Sequence, residues 1–393
     1  MSNPESMSTR EPTKNLILPK RVGILGGGQL ARLLALKGHQ LGLEMHVLSQ
    51  DPTDPAAQVV QHHRRGDLDS RTDLEKFLLG CDLVTFESEF LNAELLLDLR
   101  RKTGAVILPS PEHVHSLQDR LLQKQLLQKS RLPTAAFEPV STSSELHQAF
   151  EKFAGRMVIK RRRFGYDGYG TTVISSKKEL VQFEPTLEQD QVGFIAEAFV
   201  PFRKELAVIL GRRSSGEIVA LPYVETHQQD ARCLWVKGPV SQPAALVNKL
   251  NALLRLLKRF VSELDYEGVL AFELFWTGRE LLINELAPRV HNSGHYSLDA
   301  LNEDQFTLHL KAILNLPFSA IQTKSPGFAM LNLLGSKHTP KKISWDLPAN
   351  LNLHWYGKSA SRPGRKMGHV NAIGSSPDSA LKSLLRVRAR FKL

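Results

Sequence analysis

The sequence predicts a chain of mixed class: a doubly wound, parallel α/β unit first, α+β units in the middle, and a small strand-rich unit at the end. Residues 21–110 alternate short apolar strands with amphipathic helices, the pattern that builds parallel sheets. From about residue 156 strand-like runs follow one another less regularly, which suits α+β layers. After about residue 325 the chain turns strand-rich again and ends in a short basic helix.

Residues 1–20 lack the apolar segment of a secretion signal and read as a flexible leader. RVGILGG is a strand ending in glycines, QLARLLALKGHQLG an amphipathic helix, and EMHVLSQ a second strand before the turn formers Asp51-Pro52. DLEKFLLGC follows as a helix, then DLVTFESE and AVILPSP as strands. In such sheets ligands gather at the carboxyl ends of the strands, here Gly26–Gln29, Ser49–Asp51 and Glu87–Glu89. Residues 113–130 read as one long helix, and RLPTAAF as a break. MVIKRRR, TTVIS, GFIAEAFV, ELAVILG and GEIVALPYVE are strand-like, with helices in SSELHQAFEKF and ALVNKLNALLRLLKRFVSEL.

Bulk properties narrow the function. The 393 residues are too many for one ordinary core and imply two to four domains. No apolar run approaches the roughly 18 residues of a membrane span. The two cysteines, Cys81 and Cys233, form no metal or disulfide pattern and fit a reducing cytoplasm. The net charge of +11 is dispersed over Arg161–Arg163, Arg365-Lys366 and the C-terminal tail, which favours small anionic ligands over nucleic acid.

Three segments carry chemistry. Gly26, Gly28 and Ala31 satisfy the dinucleotide fingerprint, with Asp51 placed for a ribose, so an NAD enzyme is the runner-up. Lys160 ends an apolar strand, where a charge is costly without an anionic partner, and the glycines Gly165, Gly168 and Gly170 after it suit a hairpin lid over a triphosphate. Glu273 interrupts one apolar run and Glu285 ends another, with Thr277-Gly278 marking a hairpin between them. A three-residue loop at 278–280 would place the two carboxylates opposite each other, where a divalent cation relieves their repulsion. Beside a phosphate loop that cation is expected to be Mg²⁺ shared with ATP. His291 and His295 are spaced as zinc ligands, but Asn-Ser-Gly between them argues against a helical zinc site.

Together, GGGQL (26–30), TFESE (85–89), QDRLLQK (118–124), GYDGYG (165–170), FELF (272–275), NELAPRVHNSGH (284–295), HWYGK (354–358) and RPGRKMGHVN (362–371) resemble the 5-(carboxyamino)imidazole ribonucleotide synthases, ATP-grasp enzymes of purine biosynthesis. The resemblance covers about residues 21–371. It implies a Rossmann-like, pre-ATP-grasp domain over 21–118 and a two-lobed ATP-grasp unit over 119–325, divided near 196/197. A small strand-rich domain would follow over 326–393. It also implies that ATP and bicarbonate carboxylate aminoimidazole ribonucleotide through carboxyphosphate, in a cytoplasmic homodimer that binds neither nucleic acid nor membrane. Two Mg²⁺ ions would serve, held by Glu273 and Glu285.

By the same resemblance ATP would contact Arg120, Lys160, Gly165, Tyr166, Asp167, Gly168, Tyr169, Gly170, Thr171, Glu197, Ala198, Phe199, Val200, Glu205, His227, Asn284 and Glu285. Tyr166, Asp167, Arg289, His291 and Lys358 would be catalytic, and Gly27, Gly28, Gln29, Leu30, Glu87, Asn292, Lys358, Arg365 and Lys366 would bind the nucleotide substrate. The lid departs from the usual pattern at Phe164, Tyr169 and Thr171, leaving Arg163 as a substitute positive contact. ETHQQDARC and GKSASRPGR each run one residue longer than the family pattern. Other ATP-grasp amine ligases, and a nucleotide-binding module without turnover, are the further alternatives.

Overall fold

The computed structural model describes residues 21–165, 168–190, 192–229, 231–336, 347–388 and 391. The expected leader at 1–20 lies outside them. Four parallel strands form the first sheet: β1 (Arg21–Leu25), β2 (Glu44–Ser49), β3 (His62–Arg65) and β4 (Leu83–Phe86), in the order β3-β2-β1-β4. β4 is wholly buried and β1 nearly so, which is why both read as unbroken apolar runs. β3, with the sequence HHRR, has no apolar residue and no strand signal; its pairing to β2 alone makes it a strand. AVILPSP is not a strand but a single bridge, Val84 to Ile107, cut short by Pro109 and Pro111. The expected single helix across 113–130 is two, Pro111–Leu117 and Arg120–Lys129. Asp119 separates them: its carboxylate caps the second helix by accepting from the N–H groups of Leu121 and Leu122.

The second sheet is antiparallel: β5 (Phe137–Val140), β6 (Met157–Arg161), β7 (Thr171–Ile174) and β8 (Phe194–Ala198), in the order β5-β8-β6-β7. Helices Ser143–Lys152 and Lys177–Gln189 supply its core with Leu146, Phe150, Leu180 and Phe183. The expected lobe division at 196/197 falls inside β8, which stays with this sheet to Ala198.

The remaining strands are β9 (Lys204–Arg212), β10 (Ile218–Ala220), β11 (Val224–Gln229), β12 (Arg232–Gly238), β13 (Gly268–Trp276), β14 (Leu281–Ala287), β15 (Gly327–Leu334), β16 (Leu351–Trp355) and β17 (Lys366–Gly374). They make one sheet, β14-β13-β9-β11-β12-β15-β17-β16, with β10 beside β9. GEIVALPYVE is therefore two strands, broken around Pro222. Among the described residues, the strands after residue 325 build no sheet of their own. β15 pairs with β12, Trp235 opposite Leu331, so the last segment extends the central sheet. Helix Ala244–Glu263 buries Leu246, Leu250, Leu253 and Leu257 at helical spacing.

Two contacts fix the first sheet against the third. Helix Gln29–Gln40 shares a core with helix Gln305–Ile313 through Leu30, Leu33, Leu34, Phe306 and Leu310. His309 joins the sheets directly, with Nε2 2.8 Å from the Thr85 hydroxyl and Nδ1 accepting from the Val269 N–H at 3.3 Å. The carboxyl ends of β1 and β4 are thereby held beside β13 and β14.

Candidate active site

β13 and β14 bring Glu273 and Glu285 into register as a cross-strand pair. The loop is not the three residues expected. Trp276 pairs with Leu281, so four residues connect the strands, and a bulge between the pairs Glu273–Glu285 and Leu274–Ile283 restores the offset. Asn284 is the extra residue, and its Oδ1 accepts from Lys160 Nζ at 2.8 Å. Burial raises the Glu273 pKa, and the charges of Glu285 and Glu205 raise it further; Lys366 and Lys160 oppose them. Burial also raises Glu205, to about 7. Opposed carboxylates, one of them Glu273 with its raised pKa, suit a divalent cation, which supplies the missing positive charge. His291 approaches the pair, its Nε2 3.5 Å from Glu273 Oε1 and its Nδ1 2.8 Å from Ser293 Oγ. Burial, then Arg289 and Lys366, depress its pKa well below the usual range and keep the ring neutral.

The anionic partner expected for Lys160 lies inside the protein. Lys160 Nζ is 3.0 Å from Glu197, and the other Glu197 oxygen is 3.1 Å from the buried Lys124. Burial pushes Lys124 down to about 8, against the pull of Glu197. Burial disfavours the Glu197 charge too, but Lys160 and Lys124 outweigh it and hold its pKa low. The triad keeps one net positive charge at the end of β6. Lys124 has a signal in the sequence: it shares the buried helix face of Leu121 and Leu127.

The lid is tied back by Arg120, which donates to the carbonyls of Arg161 and Gly165 at 3.0 and 3.1 Å and reaches Glu285 at 3.4 Å. A Cβ on Gly165 would meet Arg120 Nη1 at 2.2 Å, so only glycine allows this approach. Across the lid, Gly168 (φ +82°) packs against Ala231 in the β11–β12 turn. Phe164 also has positive φ, 62°, and its ring lies 6.0 Å from that of Phe90. The triple-arginine tract is paired within the chain, Arg161 with Asp190, and Arg162 and Arg163 with Asp119. Tyr166 and Asp167 lie outside the described residues.

On the facing side, Arg289 makes a two-pronged ion pair with Glu89, Nη2 to Oε1 at 3.0 Å and Nε to Oε2. Burial works against the Glu89 charge, but Arg289 overcomes it and keeps the pKa low. Glu89 ends the TFESE run and carries no signal of its own there. Glu87 caps helix Gln29–Gln40, accepting from Gly28 N at 2.5 Å and Ala31 N at 3.1 Å. The Gly28 N–H at this helix start therefore serves a carboxylate of the chain itself, which removes the main support for a dinucleotide pyrophosphate there.

One cavity of about 560 Å³ joins these groups. It is lined by Gly28, Gln29, Leu30, Glu87, Glu89, Arg120, Lys160, Gly165, Gly168, Thr171, Glu197, Ala198, Phe199, Val200, Glu205, Glu273, Asn284, Glu285, Arg289, His291, Asn292 and Lys366. Among the described residues, six expected ones fall outside its wall. Gly27 packs on Ser49 and Asp54, and Tyr169 is largely exposed. Gly170 closes on Arg161, and Arg365 donates to the Ala360 carbonyl at 2.8 Å. Lys358 sits 5.7 Å from the Tyr356 ring centre. His227 stacks on Trp235, outside the wall, while Gln228 and Cys233 line it; between these two pairs Leu234 is bulged out of β12. Asn292 and Asn332 exchange side-chain hydrogen bonds at 3.0 and 2.7 Å. His291 and His295 are divided by a 3-10 turn, Asn292–Gly294, and His295 is buried with Nδ1 2.9 Å from Gln305 Nε2, so they do not converge on zinc.

Opposed carboxylates, a lysine between Glu197 and Asn284, and a glycine hairpin over a cavity between two α+β sheets define an ATP-grasp ligase. Residues 19–118 match the ribonucleotide synthetase preATP-grasp domain, 125–306 the ATP-grasp domain and 329–383 the phosphoribosylaminoimidazole carboxylase C-terminal domain. The chain is 39% identical over 356 residues, 89% of each chain, to an N5-carboxyaminoimidazole ribonucleotide synthase of Synechococcus elongatus. A crystal structure of the synthetase from Thermus thermophilus aligns with TM-score 0.85 at 33% identity, covering 95% of this chain and 99% of that one. The Aspergillus clavatus synthase, in complex with ADP and 5-aminoimidazole ribonucleotide, aligns at 0.85 and 29% identity over 94% and 99%. The chain belongs to the N5-carboxyaminoimidazole ribonucleotide synthase family, carbon–nitrogen ligases of purine biosynthesis.

Proposed function

We propose that the cavity carboxylates the amine of 5-aminoimidazole ribonucleotide with bicarbonate and ATP, and that Glu273 and Glu285 hold Mg²⁺ there. The carrying observation is the in-register carboxylate pair beside Lys160, in one cavity with the Arg289–Glu89 pair. When bound, Mg²⁺ neutralises triphosphate charge. Lys160, held between Glu197 and Asn284, presents its ammonium to the phosphates, and Arg120 positions the lid carbonyl at Gly165. Ala198 to Val200 line the base and Glu205 the ribose. A bicarbonate oxygen attacks the γ-phosphorus, ADP leaves, and the substrate amine attacks the carboxyphosphate carbon, releasing phosphate. Arg289, fixed by Glu89, stabilises charge on the carboxyl oxygens; His291 stays neutral and leaves that charge to Arg289. Lys366 contacts the nucleotide phosphate.

The test is phosphate release with bicarbonate and aminoimidazole ribonucleotide each omitted in turn. ATP turnover independent of either one overturns the assignment. We further propose a cytoplasmic homodimer. Two cysteines that form no disulfide support the compartment, and family likeness supports the dimer, which sedimentation will check.

A further inference from the structure

We infer a second metal site, for a borderline transition cation such as Zn²⁺, at Glu44, His46 and His62 on the first sheet. Glu44 and His46 alternate with the buried Met45, so both project from the half-exposed face of β2. The parallel register sets His62 of β3 beside His46. The two imidazoles stack with centroids 4.5 Å apart and planes 12° from parallel, and both direct Nε2 at one carboxylate. His46 Nε2 is 2.9 Å and His62 Nε2 3.5 Å from Glu44 Oε1, and one ligand atom from each residue lies within 4.8 Å of the others. Ligand atoms bonded to Zn²⁺ at about 2.0–2.1 Å in a tetrahedron stand about 3.3 Å apart, close to the spacing here, and the stacked rings swing out of parallel to aim both Nε2 lone pairs at one ion. Two imidazole nitrogens and one carboxylate oxygen suit Zn²⁺ with a water in the fourth position, whereas Mg²⁺ prefers oxygen alone. Arg21, the register partner of Glu44, is held by Asp82 at 2.6 Å.

The strand order gives the cation a task. β3 is the edge strand, four residues long, with no apolar residue to bury, yet it anchors the 50–61 connection. That connection reaches the C-terminal segment through Gln58, which donates to the Gly357 carbonyl at 2.8 Å. A cation joining His62 to β2 staples this strand. The site lies at the amino ends of the strands, opposite the carboxyl ends that line the nucleotide cavity, so it is structural and separate from the ligase chemistry.

Isothermal titration of Zn²⁺ into the chelator-stripped full chain tests this, with His62→Gln, Glu44→Gln and Glu273→Gln alongside. One equivalent is expected in the wild type and in E273Q, with affinity falling at least about tenfold in H62Q and E44Q. H62Q, at an exposed edge, retains wild-type ADP formation. Co²⁺ bound to the wild type shows the visible absorption of a four-coordinate site, a reading that needs no variant to fold. Unchanged Zn²⁺ binding in H62Q, or binding lost in E273Q, overturns the inference; so does absence of stoichiometric binding in the wild type.

Discussion

Glu273 stands directly opposite Glu285 because Asn284 is bulged out of β14. Without the bulge, the register set by the turn would pair Glu273 with Asn284 and turn Glu285 to the other face of the sheet. Asn284 thus has two separable tasks, the backbone bulge and the bond to Lys160. Asn284→Ala keeps the first and loses the second. Its kcat/KM for ATP is expected to fall about tenfold, ~1.4 kcal/mol of transition-state stabilisation. Deletion of Asn284 is expected to abolish phosphate release with the fold retained by circular dichroism. Equal activities in the two variants would show that the bulge does not set the pair.

Glu197 holds two lysines at once, so its loss leaves two buried ammonium groups without a counter-charge. Glu197→Gln is expected to lower stability by about 3–5 kcal/mol, the usual effect of breaking a buried pair from one side. Lys124→Met removes a charge and leaves the Glu197–Lys160 pair intact, so its loss should be clearly smaller. Urea unfolding of both variants gives the comparison, and a K124M loss as large as that of E197Q contradicts the triad.

Much of this site is legible in the sequence because buried charge is conspicuous in an apolar strand. Glu273, Glu285 and Lys160 each interrupt or end such a run, and all three line the cavity. A three-residue loop predicts the pairing of the two glutamates; the structure reaches it with a four-residue loop and a bulge, two offsets that cancel and that no residue pattern reveals. Other features depend on contacts far apart in the chain. Glu89 acquires its role from Arg289, 200 residues away, and Glu87 from the helix at Gly28. β3 has no strand signal because edge pairing, rather than burial, makes it a strand. Asp119 reads as an ordinary polar residue within one long helix, yet it ends one helix, caps the next and collects two arginines.

The Arg289–Glu89 pair fixes the guanidinium by two hydrogen bonds, one at each carboxylate oxygen. Lysine keeps the charge and loses the fork, so Arg289→Lys tests geometry separately from charge. Its kcat is expected to fall about a hundredfold, ~2.7 kcal/mol, comparable to the loss of one preorganised donor. Glu89→Gln, which touches no reacting atom, should show a smaller fall in kcat. A change confined to the KM for ATP in R289K would place Arg289 at the nucleotide instead.

His309 makes the junction between the first and third sheets sensitive to acid. Its Nδ1 accepts from the Val269 N–H, so the neutral ring carries its proton on Nε2, toward Thr85. Burial holds the folded pKa at about 3, against an ordinary value of 6.5. A depressed histidine contributes its stability in full above its unfolded value and loses it as pH falls from there toward its folded value. At about pH 5 the loss amounts to roughly 2 kcal/mol, one and a half units at ~1.36 kcal/mol each. His309→Gln retains a donor toward Thr85 and cannot titrate. The stability gap between wild type and H309Q, read from urea midpoints, should therefore be largest near about pH 7.5 and narrow by about that amount near pH 5. Other buried histidines, including His295, also lose stability in acid, but they do so equally in both proteins and cancel in the difference. A gap that stays constant between the two pH values would mean that the ring is not the titrating element of this junction.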